Sequence, residues 1–174
     1  MNTAAAQASG DWIIFLHADT QLPSAWRDAI DSAETHGRAA GCFRFGLDAP
    51  GLAARAIAMG VRLRCAIFGL PYGDQALFVR RDLFHSLGGY TVMSIMEDVD
   101  LVRRLKRQGG IMRSPLRAVT SARRWRRDGW IRRTIANVVL IGMYYAGVSH
   151  TTLARWDARV RDGARRRARP SADR

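Results

Sequence analysis

The side chains best suited to chemistry fall into four short groups. The first is His17-Ala18-Asp19, which follows the apolar run Trp12 to Leu16 (WIIFL). Such a run reads as a buried strand of the kind found in a parallel sheet, and ligands of open α/β sheets bind beyond the carboxyl ends of strands. A carboxylate placed there can hold a divalent metal, which in turn binds a diphosphate; it can equally cap the turn or helix that follows. The second group is Gly73-Asp74-Gln75, after Pro71. Glycine lets a backbone approach a ligand closely, and Asp74 can accept a hydrogen bond from a hydroxyl, although Gly and Asp are also ordinary turn residues. The third is Glu97-Asp98, with Asp100 following, at the predicted start of a helix, a position that favours ionised carboxylates. An Asp there can serve as general base towards a hydroxyl. Capping and dipole compensation also explain acids in a first turn, but two adjacent acids after Ser94-Ile95-Met96 exceed what capping requires. The fourth is Ser121-Ala122-Arg123-Arg124-Trp125. Arg pairs with phosphate in bidentate fashion and Trp stacks on a sugar or base face; a solvated basic strand with one buried Trp is the plainer account.

The elements that must position these groups are legible as α/β with an α-helical C-terminus. Leu22-Pro23-Ser24 opens a helix to about Thr35, closed by Gly37. Ala39 to Leu47 alternates loosely and predicts a second strand. Gly51 to Phe68 has helical spacing in Leu52, Ile57, Met59, Val61, Leu63 and Ile67. Leu70 to Asp74 is a loop, Gln75 to Val79 a third strand, and Arg81 to Leu87 a short helix stopped by Gly88-Gly89. Tyr90 to Met96 is a loop. The helix that Glu97 starts, EDVDLVRRLKRQGG, carries acids first and bases behind them, as the helix dipole favours. Ile111 to Val119 forms one or two strands. Trp130 to Val148 is a long apolar helix, and Thr151 to about Arg161 a final amphipathic one.

Composition bounds the answer. The chain has 174 residues, 48% of them apolar and 25% charged, which excludes a wholly disordered chain and a polytopic membrane protein. Its formal net charge is +13, and 27 of the 28 basic residues are Arg, the exception being Lys106. Such a charge favours anionic partners. Arg103 to Arg133 holds 12 bases and one acid, Asp128. Two cysteines, Cys42 and Cys65, make no disulfide framework and read as buried thiols. With no basic, apolar leader at the N-terminus, the expected setting is cytoplasmic.

Taken as a set, FLHADTQLP, YGDQALFVRRDLF, LGGY and IMEDVDLVRRLKRQG resemble the family-2 glycosyltransferases of the GT-A fold, and within them a bacterial subgroup of arsenosugar-biosynthesis type. The resemblance covers roughly Gly10 to Trp125. It implies a Rossmann-like, mostly parallel sheet, a nucleotide-diphospho-sugar donor, and inverting transfer to an acceptor hydroxyl, which a lipid could carry. His17-Ala18-Asp19 matches the family's DxD, so Asp19 would contact Mg²⁺ or Mn²⁺. His17 stands where the first acid is usual, and imidazole can still ligate Mn²⁺. Asp98 matches the catalytic base, with Glu97 beside it. Gly73 and Asp74, with Gln75, match the acceptor-side loop. Arg124-Trp125 resembles the RW of the QxxRW motif of processive relatives; Ser121 occupies the Gln position, so processive synthesis is not supported.

Family members begin with a strand–helix–strand nucleotide-binding half, and MNTAAAQASGDW resembles the internal helix that leads into the DxD strand. The expectation is an N-terminally truncated, partial GT-A fold, poorly active by itself. Residues 1–125 would be the C-terminal part of the GT-A domain, 126–163 a helical extension and 164–174 a disordered basic tail. Two non-enzymatic readings compete. The Arg clusters around Trp125 fit a nucleic-acid-binding module, but no zinc-finger, RNP-like or basic-zipper pattern accompanies them. Thr134 to Ala154 carries no formal charge, yet Asn137, Ser149, His150, Thr151 and Thr152 dilute it below the roughly 20 apolar residues that a spanning helix needs. A peripheral contact at the inner membrane face, through Arg123 to Arg133, remains compatible with the charge.

Overall fold

In Trp12-Ile13-Ile14-Phe15 successive side chains point to opposite faces of a sheet, and in the computed structural model both faces are covered. The model describes residues 1–168 apart from Leu70 and Tyr72. The chain forms two compact units, one of Met1–Val92 with Glu97–Ser121 and one of Met93–Met96 with the chain from Ala122 onward.

The first unit runs α1 (Asn2–Ala6), β1 (Trp12–Phe15), β2 (Thr20–Gln21), α2 (Trp26–Thr35), β3 (Ala40–Asp48), α3 (Leu52–Phe68), a 3-10 turn over Gly73–Gln75, β4 (Leu77–Arg80), α4 (Arg81–Ser86), α5 (Glu97–Arg107) and β5 (Met112–Ser121). The sheet order is β1-β4-β3-β5-β2. It is mixed, which corrects the expectation of a mostly parallel sheet. β1 pairs antiparallel with β4, from Trp12 opposite Arg80 to Phe15 opposite Leu77, and β3–β4 and β2–β5 are antiparallel too. Among the described strands only β3 and β5 run parallel. The apolar run in β1 reported two-sided burial, and burial carries no information on strand direction. An antiparallel strand covered on both faces has the same composition.

Two helical layers cover the sheet. Ile13, Phe15, Ala40, Cys42, Leu77 and Val79 pack against Phe84, Tyr90, Leu101, Val102 and Leu105 of the α4–α5 side. Each large side chain sealed there contributes about 1.5–3 kcal/mol. Phe43, Ala76, Phe78 and Ala118 pack on the opposite face against Ala29 and Ala33, whose small side chains let α2 lie close to the rings. The helix predicted from Leu22 starts about a turn later: the chain from Leu22 to Ala25 is not helical, and α2 begins at Trp26, whose N–H bonds the Pro23 carbonyl at 3.1 Å. Cys42 and Cys65 are both buried thiols, as expected. Burial, and then the neighbouring Cys65, pushes the Cys42 thiol up to about 12.

β5 is not regular. Cys42 faces Arg113, but two residues later Arg44 faces Arg117, so β5 carries a bulge around Ser114-Pro115-Leu116. Pro115 has no N–H to give the ladder, which is why pairing slips there. The Ser114 hydroxyl instead takes the Leu116 N–H at 3.2 Å.

The second unit holds α6 (Arg123–Asp128), α7 (Trp130–Tyr145) and α8 (His150–Ala168). The expected disordered tail is therefore helical to Ala168, and its remainder, 169–174, lies outside the described residues. The corner between α6 and α7 needs Gly129, whose φ is +85°. An ion network ties the three helices. Arg127 reaches Asp128 at 2.7 Å, Arg133 lies 4.0 Å from Asp128 and 3.7 Å from Asp157, and Arg161 lies 3.1 Å from Asp157. Asp128 and Asp157 are buried. Desolvation by burial holds the Arg133 guanidinium below its ordinary value, so this cation depends on its carboxylates. Asp157→Ala leaves it partly uncompensated, and an expected loss of about 3 kcal/mol should show as a lower urea midpoint. A midpoint unchanged from wild type would mean that the network carries no net stability. Among the described residues no helix is long and apolar enough to cross a membrane.

Candidate functional site

β1 runs towards, and β4 runs away from, the same end of the sheet, because the two are antiparallel neighbours. The HADT segment leaves the first at that end and Gly73–Gln75 enters the second there. His17 to Thr20 is a tight turn closed by Thr20 N–H on the His17 carbonyl at 3.0 Å. The end of β5 joins it: Ser121 N–H bonds the Asp19 carbonyl at 2.8 Å, and the buried hydroxyls of Thr20 and Thr120 meet at 2.9 Å. Thr120 Oγ1 also donates to the Asp74 carbonyl at 3.2 Å. Local hydrogen bonds thus bind the Asp19 turn, the Asp74 turn and the end of β5 into one assembly.

α5 brings the third group. Arg104 holds that helix in place: its guanidinium donates to the Leu87 carbonyl at 2.8 Å, the Gly89 carbonyl at 2.7 Å and Asp100 at 3.0 Å. The turn it clamps needs positive φ at Gly88 and Gly89. Glu97 and Asp98, both half-buried, form the first turn of α5, and Asp98 Oδ1 accepts the Val99 N–H at 2.8 Å.

Asp74 is where the groups meet. Its Oδ1 is sealed from solvent and has no hydrogen-bond partner among the described residues, although the residue as a whole is half-buried. Burial raises its pKa first of all; Arg64 and His17 pull it down and the charge of Asp98 pushes it up. Arg64, His17 and Asp98 therefore lie within electrostatic reach of one carboxyl. Two carboxylates sharing a poorly solvated site cannot both ionise freely. The phenol of Tyr90 is likewise raised, by burial and then by Asp98 and Glu97. The backbone is strained at the same places. Ala76 (φ +45°) follows the Asp74 turn and Met96 (φ +69°) precedes Glu97, and these are the non-glycine residues with positive φ among those described. Such strain clusters at functional sites.

A stability test isolates Asp74. An acid whose pKa rises on folding costs stability as the pH climbs above its unfolded value. The cost is absent below that value and complete above the raised one. Asp74→Asn should melt with wild type near pH 4 and above it at pH 7, by roughly 1 kcal/mol or about 3 °C. A variant less stable at pH 7 than at pH 4, relative to wild type, would show that the ionised carboxylate is stabilising.

The other residues singled out in the sequence have different settings. Gln75 is buried, its amide donating to the Phe43 carbonyl at 3.2 Å while Oε1 accepts from the Cys65 thiol at 3.2 Å. It anchors the turn to β3 and α3. Gly73 heads that turn. Arg124 and Trp125 belong to the second unit, on helix α6 where a strand was the plain expectation; Trp125 is buried and Arg124 exposed. Sequence reasoning missed Arg64, Thr120 and Tyr90. LGGY was a signal for Tyr90, whereas nothing local marks Arg64 or Thr120.

Asp19 is half-buried and His17 exposed, on one turn. No cluster of three or more His, Cys, Asp or Glu side chains able to hold a metal exists among the described residues. An imidazole and a carboxylate still fit a Mg²⁺ or Mn²⁺ ion that takes its remaining oxygens from a diphosphate and water, the usual manner for Mg²⁺. No protein-family model, no curated protein and no solved structure matches this chain.

Proposed function

We propose that the first unit carries the metal-contacting and general-base parts of an inverting glycosyltransferase of the GT-A, family-2 type, acting on a nucleotide-diphospho-sugar and an acceptor hydroxyl. The observation that carries the reading is the convergence of His17, Asp74 and Asp98 at one end of the sheet, on the turn that holds Asp19. The motifs that resemble that family are distant in sequence, and a chance resemblance gives no reason for them to meet.

In this reading His17 and Asp19 hold the Mg²⁺ or Mn²⁺, which when bound neutralises charge on the leaving diphosphate. Asp98 takes the proton of the acceptor hydroxyl as its oxygen attacks the anomeric carbon from the face opposite the diphosphate. The backbone N–H of Val99 orients that carboxylate. Asp74, whose carboxyl burial and the charge of Asp98 push towards the neutral form, stands on the acceptor side of the site. Glu97 adds negative charge beside the base. Arg124 and Trp125 are proposed as substrate contacts on resemblance alone, and a lipid-linked acceptor as the substrate class that suits peripheral membrane contact.

The test is release of nucleoside diphosphate from a panel of nucleotide-sugars with Mn²⁺, using the 174-residue chain and a form carrying any in-frame sequence upstream of Met1. Mn²⁺-dependent release that Asp19→Asn reduces supports the reading. Absence of release from every donor by both forms would overturn it.

A further inference from the structure

α3 is an amphipathic helix whose apolar face points the wrong way for a core. Leu52, Ala56, Met59, Leu63 and Ile67 recur at i, i+4, i+7, i+11 and i+15, which is one stripe of an α-helix. Leu52, Met59, Leu63 and Ile67 are each more than half exposed, while Ala54 and Cys65, on the other side, are buried. The helix contains no acid, and the exposed Arg55 and Arg62 edge the stripe.

Cations gather beside it. The bulge at Pro115 sets Arg44 of β3 directly opposite Arg117 of β5, and like charges in that position repel. Without the slip Arg44 would face Pro115. Arg62 lies within reach of the same group: desolvation and then the charges of Arg62 and Arg117 hold the Arg44 guanidinium below its ordinary value. None of Arg44, Arg62 and Arg117 has an ion-pair or hydrogen-bond partner among the described residues. On α7, which carries the exposed Ile131 and Ile135, Arg132 donates to the Val160 carbonyl at 2.7 Å and Arg133 is matched by Asp128 and Asp157.

We infer that α3 docks this protein on an anionic lipid surface, with Leu52, Met59, Leu63 and Ile67 at the acyl boundary and Arg44, Arg62 and Arg117 on lipid phosphates. A row of large apolar side chains with arginines along its edge is the pattern of a helix that lies in a membrane interface. A nucleic acid would satisfy the arginines and leave the apolar row in water. A second copy would cover the row but set one acid-free, arginine-bearing face against another. The inference does not depend on sugar transfer.

Co-sedimentation of the purified chain with phosphatidylcholine vesicles, with and without phosphatidylglycerol, tests it. Binding should be at least about tenfold stronger to the anionic vesicles, and Arg62→Gln or Arg117→Gln should each weaken it about fivefold. Leu63→Gln with Ile67→Gln should weaken it more than about tenfold. Because these side chains are exposed, thermal melts should match wild type, and a variant that does not fold is replaced by Met59→Gln. Equal binding to both vesicles, or full binding by the double variant, overturns the inference. So does loss of binding in Ile135→Gln alone, which would move the docking face to α7. A dimer in sedimentation velocity that the double variant dissolves, without vesicle binding, would make a second copy the occupant. Binding to a DNA duplex that the double variant retains, again without vesicle binding, would assign the arginines to nucleic acid.

Discussion

Asp98→Asn should cripple the proposed sugar transfer, lowering kcat by about 10²–10⁴-fold while the fold and the proposed donor binding persist. The reasoning is local. The amide has nearly the shape of the carboxylate and keeps an oxygen to accept the Val99 N–H now bonded at 2.8 Å, so α5 keeps its first turn. What it loses is the ability to take a proton. It also removes a negative charge from the neighbourhood of Asp74 and Tyr90, both of which that charge pushes up. The pH dependence of a titratable group at Asp74 should therefore shift to lower pH in the variant, a readout that a merely structural role for Asp98 in capping α5 would not share with a lost kcat. Turnover within about tenfold of wild type would remove Asp98 from the role of base, whatever happened to stability.

Gly41→Ala should be among the most damaging single substitutions in the sheet, costing about 3 kcal/mol. Gly41 lies directly across from Phe78 in the β3–β4 pair. A methyl group on Gly41 would lie 2.9 Å from Phe78 Cε1 and closer still to Cζ and Cε2. The ring cannot step aside. It is fully buried, and it packs against Phe43 at 5.3 Å and Trp12 at 5.8 Å between centroids. The absence of a side chain at Gly41 is thus part of the core, because the aromatic ring fills its place. Phe78→Ala alone should cost about 3–5 kcal/mol through the cavity it leaves. Combined with Gly41→Ala it should cost less than the sum, with a coupling of about 2 kcal/mol. Strictly additive denaturant midpoints would show that the two positions do not share the space.

The candidate site was legible as residue types and as element ends. Asp19 after an apolar run, Asp74 before one and Glu97-Asp98 opening a helix are all statements about local pattern, and the structure has each motif at the end of such an element. Their meeting was not legible in spacing, because nothing in the 23 residues between Asp74 and Asp98 says that Arg104 will clamp the Leu87–Gly89 turn. Gln75 shows the opposite failure. Its position in the motif proposed a substrate contact, while its buried amide holds the turn to β3 and α3.

By itself the sequence determined the approximate places of β1, β3, α3, β4, α4, α5, β5 and α7, because periods of 3.6 and 2 residues and the Gly and Pro punctuation are properties of the local chain. Only the tertiary structure decided that β1 pairs antiparallel with β4, that Pro115 shifts Arg117 opposite Arg44, and that the apolar row of α3 faces outward. Each of these depends on which distant segment occupies the neighbouring space. A pattern of apolar residues records that a face must be covered, and leaves the identity and direction of what covers it to long-range packing.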